Sequence, residues 1–248
     1  MHKTLLVTGG SRGIGAAAAV LAAQRGWDVA VNYTRDAAAA ERVAAQVRAA
    51  GRRALVIQAD VADEAQVLAM YAAVDREFGP LSGLVNNAGV VDMPARVDEM
   101  SLQRLQRMFA INLTGSFLCA REAVRRMSTK YGGQGGVIVN LSSAAARLGS
   151  PGQYVDYAAS KAGVDLMTLG LAREVATEGI RVNAVRPGII DTEIHASGGL
   201  PDRAKQVAPQ VPMQRAGTAE EVAQAIVWLL SEDSSYTTGA VIDVTGGR

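Results

Sequence analysis

The sequence predicts one α/β domain in which a seven-stranded parallel sheet carries helices on both faces. Three observations predict it. Short apolar runs alternate with longer stretches of helical period from one end of the chain to the other. The runs are apolar at consecutive positions, as strands covered on both sides require. A glycine-rich turn joins the first run to the first helical stretch. Strands of four to eight residues separated by helices call for right-handed crossovers, which gives a doubly wound sheet of the Rossmann type.

The first strand is expected at Thr4–Thr8, where Leu5-Leu6-Val7 runs directly into glycine, and Ala16–Arg25 follows as an alanine-rich helix. Val29–Asn32 and Ala54–Ala59 are the next two strands, separated by the helical stretch Ala37–Ala50. Glu64–Phe78 has helical length and period before the short run Gly83–Val85. Leu102–Met127 reads as one long helix, and Val137–Leu141 as the fifth strand. Tyr157–Glu178 is a second long helix, followed by the strand Arg181–Val185, the helix Ala219–Leu230 and the strand Val241–Val244. No linker or repeat interrupts this rhythm, so residues 1–248 are expected to form a single dinucleotide-binding and catalytic domain. The segment Glu193–Arg215 departs from it, with Gly198-Gly199, three prolines (Pro201, Pro209, Pro212) and no strand pattern. A long irregular segment in a compact domain is usually functional, and a lid over the substrate site is expected at 193–215.

Composition narrows the function classes. Half of the 248 residues are apolar, enough for a substantial core. Lys plus Arg is 25 against 24 for Asp plus Glu, with no basic stripe and no charge block, so a nucleic-acid partner is not expected. Cys119 is the only cysteine, which excludes an intramolecular disulfide and a cysteine-rich zinc site; it reads as helix packing, and no metal is expected. Met1-His2-Lys3 leads straight into the first strand, without a secretory signal. No stretch reaches the ~18 apolar residues that span a bilayer. A cytoplasmic enzyme without a membrane partner is the expectation.

The turn after the first strand reads Thr8-Gly9-Gly10-Ser11-Arg12-Gly13-Ile14-Gly15. Glycines here permit a tight turn, close backbone approach to phosphate and close packing of helix on strand. The helix that follows presents unpaired N–H groups and a positive dipole end to a pyrophosphate. The spacing is G-x-x-x-G-x-G, not the commoner G-x-G-x-x-G. Sites for NAD(H) place an acid at the end of the second strand to bond the ribose 2′-hydroxyl. Here the strand ends Asn32-Tyr33-Thr34-Arg35, with no acid before Asp36, and Asn32, Tyr33 and Arg35 are expected to contact the cofactor. Arg12 and Arg35 converge on the place where NADP(H) carries its 2′-phosphate, an anion that guanidinium geometry fits, so NADP(H) is expected over NAD(H).

From this loop to its last residues the chain resembles the short-chain dehydrogenase/reductase family. The family's T-G-x-x-x-G-x-G matches Thr8 to Gly15, and its Asp-Val beside adenine matches Asp60-Val61. Asn86-Asn87-Ala88-Gly89 matches N-N-A-G, and Asn112 matches the family's helix asparagine. Tyr157-Ala158-Ala159-Ser160-Lys161 matches Y-x-x-x-K, with Ser142-Ser143 before it. Pro187-Gly188 matches the later P-G motif, which implies Ile190 and Thr192 near the nicotinamide carboxamide. Leu148 to Tyr157 is similar to a bacterial branch labelled glucose-dehydrogenase-like or 3-oxoacyl-carrier-protein-reductase-like. The resemblance implies a homotetramer, with Leu102–Met127 and Tyr157–Glu178 at one interface and the C-terminal helix and strand at another.

Hydride transfer leaves charge on a substrate oxygen, so a proton donor must stand beside it. Tyr157 and Lys161 are four apart on a helix and share a face. A tyrosine titrates near pH ~10, and a nearby ammonium together with oxidised nicotinamide is expected to lower that value. The resemblance implies that Lys161 also bonds the nicotinamide ribose, that Ser143 holds the substrate oxygen and that Asn112 positions a water linking Lys161 to solvent. The family's serine usually stands thirteen residues before its tyrosine; here Ser143 stands fourteen before Tyr157, and an extra residue in Gly149-Ser150-Pro151-Gly152 accommodates the difference. Alternation along a strand turns Ser142 and Ser143 to opposite sides, so only one faces the nicotinamide, and Ser143 is expected. His195 is read as a residue of the lid, not a base, and Tyr154 as a loop aromatic near the pocket. Asp98-Glu99 and Glu220-Glu221 read as helix N-terminal acids. Arg203, Lys205 and Arg215 read as solvated charge, with attraction of an acidic carrier as the alternative. The leading expectation is an NADPH-dependent reductase of a small carbonyl compound, reversible as an alcohol dehydrogenase. Its rivals are a 3-oxoacyl thioester reductase, a sugar or polyol dehydrogenase, and a dinucleotide-sensing regulatory protein without turnover.

Overall fold

The computed structural model describes residues 3–248, apart from the side chains of residues 195 and 197. Seven strands form one sheet: β1 (Lys3–Val7), β2 (Trp27–Tyr33), β3 (Ala54–Gln58), β4 (Gly83–Asn86), β5 (Gly136–Leu141), β6 (Ile180–Pro187) and β7 (Val241–Val244). Every pairing is parallel, in the order β3-β2-β1-β4-β5-β6-β7. The chain reverses its direction of travel across the sheet between β3 and β4, so β1 and β4 flank the topological switch point, where ligands of such sheets bind.

Strand alternation builds two cores from one sequence. Leu5, Val7, Val29, Val31, Val139 and Leu141 face one side, packed under α1 (Gly13–Gln24), α2 (Ala37–Ala49) and, near the other end of the chain, Ala219–Leu230. Leu6, Ala30, Leu84, Ile138 and Val182 face the other, under α3 (Glu64–Phe78) and two further helices described next. Alanines at 18, 19, 22 and 23 are essentially fully buried, so the small side chains of α1 let it lie close on the sheet.

The long helix expected at Leu102–Met127 is interrupted. It consists of α4 (Leu102–Phe109), one wide π turn at Ala110–Thr114 and α5 (Gly115–Met127). Asn112 is drawn out of the helical path because its side chain brackets Val90, accepting from the backbone N–H at 2.8 Å and donating to the carbonyl at 2.9 Å. Gly115 then crosses against Val61, where an added Cβ would stand 2.7 Å from Val61 Cγ2. Single π turns of this kind commonly mark functional sites. A short α6 (Ala145–Leu148) precedes α7 (Val155–Val175), which starts two residues earlier than expected and closes in a 3₁₀ turn at Ala176–Glu178.

The segment 193–215 is not wholly irregular: it folds into α8 (Ile194–Ser197), α9 (Arg203–Val207) and a 3₁₀ turn at Ala208–Gln210. The last helix, α10 (Ala219–Leu230), is capped by Thr218 and Glu221 reciprocally, and Glu99 reaches back to the Arg96 N–H, so both acidic pairs do stand at helical N-termini. Asp36, Asp63 and Ser101 cap α2, α3 and α4 through side-chain oxygens. α1 is different: it has no side-chain cap and no acid in its first turn.

Candidate active site

The uncapped start of α1 lies at the switch point, and the loop before it is pinned from both sides. The buried Thr8 hydroxyl accepts from the N–H groups of Asn87 (2.9 Å) and Ala88 (3.0 Å). Asn87 Nδ2 returns bonds to the carbonyls of Thr8 (2.9 Å) and Gly9 (3.0 Å). From the other side Asn32 Oδ1 accepts from Gly9 N–H at 3.1 Å, while its Nδ2 donates to the Ala59 carbonyl at 3.0 Å. Gly9 and Gly13 adopt φ of 60° and 53°, and a Cβ on Gly15 would come within 2.5 Å of the Gly9 carbonyl. This is a backbone-lined cradle with a helix dipole behind it, and it fits a dinucleotide pyrophosphate. Asn32 and Asn87, expected as cofactor contacts, commit their side chains to holding the cradle in shape. Thr8, which the sequence reading left out of the site, does the same.

Of the residues expected on the adenosine side, Arg12 and Arg35 are both exposed, and Tyr33, the last residue of β2, is half-buried. Asp36 is not available as a ribose acceptor in the way an acid ending β2 would be, because its carboxylate caps α2 through Ala39 N–H at 2.8 Å. Asp60 accepts from Ala62 N–H at 3.0 Å and so fixes the turn that carries Val61 against Gly115. Thr192, expected near the nicotinamide, lies over Gly13, close enough that a Cβ there would touch its side chain at 3.4 Å. Gly188 passes the backbone of Thr245 so closely that a Cβ would stand 2.8 Å from its Cα. Pro187, Gly188, Ile190 and Thr192 all line one cavity, together with Ile14, Asn87 and Gly89.

The same cavity, of about 160 Å³, is lined by Ser143, Tyr157 and Lys161. The two serines part at the end of β5: Ser142, buried, donates to the Lys161 carbonyl at 3.1 Å, whereas the Ser143 hydroxyl faces the Tyr157 phenol. Lys161 is buried, with its Nζ 5.8 Å from the centre of the Tyr157 ring and bonded to the Leu141 carbonyl at 2.7 Å. Burial lowers its pKa to about 8, with the Asp165 carboxylate one turn on opposing the shift. The expected depression of Tyr157 is not what the protein's own groups produce. Burial pushes the phenol above its ordinary value, and the Ser143 hydroxyl draws it back only in part.

Asn112 stands across Gly89 from Lys161: a Cβ on that glycine would lie 3.3 Å from Asn112 Oδ1 and 3.5 Å from Lys161 Nζ. Both polar ends of the Asn112 side chain are engaged with Val90, and its Nδ2 also lies 3.4 Å from the buried Ser160 hydroxyl. What it holds directly is the loop after β4, not the lysine. Asp156, beside Tyr157, is buried and paired with Arg104 at 2.8 and 3.2 Å, which ties α7 to α4. Tyr154 is buried and lines the cavity. Arg203 is not the solvated charge the sequence suggested: it lines the cavity, its guanidinium 5.0 Å from the centre of the Tyr154 ring and bonded to Gln153 Oε1 at 2.7 Å. Lys205 is exposed, and Arg215 pairs with Glu221 outside the site. The His195 side chain lies outside the described residues. Among the described residues no cluster of acids, histidines or cysteines is arranged to hold a metal, and no helix is long and apolar enough to cross a membrane.

A family profile described as enoyl-(acyl carrier protein) reductase matches residues 9–248. The chain belongs to the short-chain dehydrogenase/reductase family. It is 58% identical over 243 residues to the uncharacterized oxidoreductase YgfF of Escherichia coli K12, covering 98% of both chains. It is 40% identical over 250 residues to a 3-oxoacyl-[acyl-carrier-protein] reductase of Staphylococcus aureus, covering 100% of this chain and 98% of that one. Its structure superposes with a TM-score of 0.92 on a short-chain dehydrogenase/reductase of Mycobacterium marinum, at 37% identity and with 99% and 94% of the two chains covered. As a member of this family it is an oxidoreductase working with a nicotinamide dinucleotide, and the single doubly wound domain is the family's fold.

Proposed function

We propose that this short-chain dehydrogenase/reductase reduces a small aldehyde or ketone with NADPH and oxidises the matching alcohol in reverse. The observation that carries the proposal is the convergence of Tyr157, Ser143 and Lys161 on one cavity that opens beside the glycine cradle. When bound, the dinucleotide supplies the hydride to the carbonyl carbon. Tyr157 donates its phenolic proton to the carbonyl oxygen, and Ser143 hydrogen-bonds that same oxygen. A phenol held protonated by burial is poised as an acid, which suits reduction. Lys161, titrating at about 8, returns a proton toward Tyr157 and steadies the phenolate by its charge. Asn112 acts as a positioning residue by fixing the loop after β4. Exposed Arg12 and Arg35, with Asp36 turned to capping, support NADP(H) over NAD(H). The segment 193–215 serves as the substrate lid, since Ile194 and Arg203 reach the cavity.

A homotetramer in the cytoplasm is part of the same reading. Leu102, Phe117 and Leu166 on α4, α5 and α7 expose between half and three-quarters of their surface, and Trp228 on α10 exposes 40%. Reduction of a 3-oxoacyl thioester and oxidation of a sugar are the alternatives within the same chemistry; a regulatory sensor has no use for the Tyr157–Ser143–Lys161 set. The test is NADPH consumption across a panel of carbonyl compounds with wild type and Tyr157→Phe. The variant should keep its melting temperature and lose at least ~10² in kcat. Full activity in a folded Tyr157→Phe protein would refute the mechanism, and tight NADPH binding without turnover would favour the sensor.

A further inference from the structure

We infer that the substrate carries a carboxylate, bound by the Arg203 guanidinium in the cavity that Tyr157 also lines. This rests on the reductase reading of the cavity and adds the class of compound it takes. Among the described residues three cations line the cavity, Lys161, Arg203 and Arg248, and no Asp or Glu does. Arg203 is half-buried there, and its partners are neutral: the Gln153 amide oxygen at 2.7 Å and the Tyr154 ring at 5.0 Å. It makes no ion pair among the described residues. A guanidinium never gives up its charge, so partial burial without an anion is a standing cost that a carboxylate would relieve.

The geometry is suited to that task. Stacking on Tyr154 and the bond to Gln153 fix the plane of the guanidinium, and the Gln153 bond occupies only one of its five N–H donors. The remaining edge has the fork that pairs with carboxylate oxygens. Arg203, Tyr154 and Tyr157 line one cavity of about 160 Å³, so the anchor and the proton donor face a space that a single small molecule can span. The required substrate is therefore a compact oxo acid, with its carbonyl at Tyr157 and its carboxylate at Arg203. The competing role for Arg203 is purely mechanical, as a latch holding α9 on Tyr154, and it makes different predictions.

The test uses ω-oxo carboxylates with one to five methylenes between the two groups, each paired with its methyl ester, as substrates with NADPH. Binding of dicarboxylates of the same lengths to the protein alone is followed by calorimetry. At one chain length or more, the acid should exceed its ester at least tenfold in kcat/KM, and Arg203→Met should lower that ratio at least tenfold. Arg203→Lys, which keeps charge but not the fork, should restore it only in part, while Lys205→Met on the exposed side of α9 leaves it unchanged. The best dicarboxylate should bind wild type at least tenfold more tightly than Arg203→Met. A wild-type ratio near one at every length overturns the inference, as does a ratio unchanged by Arg203→Met when both activities fall, which is the latch. If no aldehyde is reduced but dicarboxylate binding depends on Arg203, the anion site stands and the reductase reading fails. Absence of such binding and of any acid preference ends the inference alone.

Discussion

Replacing Lys161 by Met keeps the length of the side chain and removes its charge, so the variant isolates the cost of burying that amine. In the unfolded chain a lysine titrates at 10.5, and in the folded protein Lys161 titrates at about 8. Between those values the unfolded state binds a proton that the folded state has released, so raising pH stabilises the native protein across that window. Below pH 8 both states are charged, and the native state bears the full cost. A difference of roughly 2.5 pH units at 1.36 kcal/mol each corresponds to about 3 kcal/mol. Lys161→Met escapes this cost but loses the bond to the Leu141 carbonyl, an offset independent of pH in sign. Denaturant unfolding of both proteins at pH 7, 8, 9 and 10 gives their stability difference directly. The difference should shift by up to about 3 kcal/mol in favour of wild type as pH rises from 7 toward 10.5, other groups cancelling between the two proteins. A difference that stays constant, or moves toward the variant, would show that the amine is not depressed and would remove its role as a proton reservoir near neutrality.

Neutralising Arg12 and Arg35 together should lower kcat/KM for NADPH by roughly 30-fold, about 1 kcal/mol for each exposed charged contact, while NADH is little affected; equal use of both dinucleotides by wild type would sink the assignment. Ser143→Ala should depress kcat/KM far more than Ser142→Ala, whose loss of the bond to the Lys161 carbonyl should instead appear as about 1 kcal/mol of stability in unfolding curves. Gly115→Val forces a side chain into Val61 and should destabilise by about 2 kcal/mol or more, read as a lower melting temperature with activity falling in parallel.

Most of the sheet was legible because its strands are covered on both faces and therefore announce themselves as unbroken apolar runs. The boundary shifts follow from the same fact: Trp27 and Asp28 belong to β2 because they pair with Lys3 and Thr4, and Pro187 belongs to β6 because it pairs with Val244. The glycine cradle was legible because positive φ and close approach leave glycine as the residue that fits. What stayed hidden depends on contacts distant in sequence. Nothing in the pattern of 102–127 reveals the π turn, since it is caused by Val90 and Val61 reaching Asn112 and Gly115 from elsewhere. Arg203 looks like any other charge of the 193–215 segment until the chain brings Tyr154 and Gln153 against it. The direction of the Tyr157 shift was also out of reach, because it turns on how completely the cavity walls exclude water.

The pins between Thr8 and Asn87 join residues 79 positions apart in the chain. The cradle therefore has no existence in the first β-α-β unit, whatever glycines that unit contains. During synthesis it becomes possible only after β4 emerges and docks beside β1, a non-local pairing whose loop-closure entropy must be met before its contacts form. A dinucleotide can thus recognise only chains whose two halves have already met. By mass action it then stabilises those chains alone. Bound cofactor would thus favour assembled molecules over partial ones and add to the stability of the folded state alone.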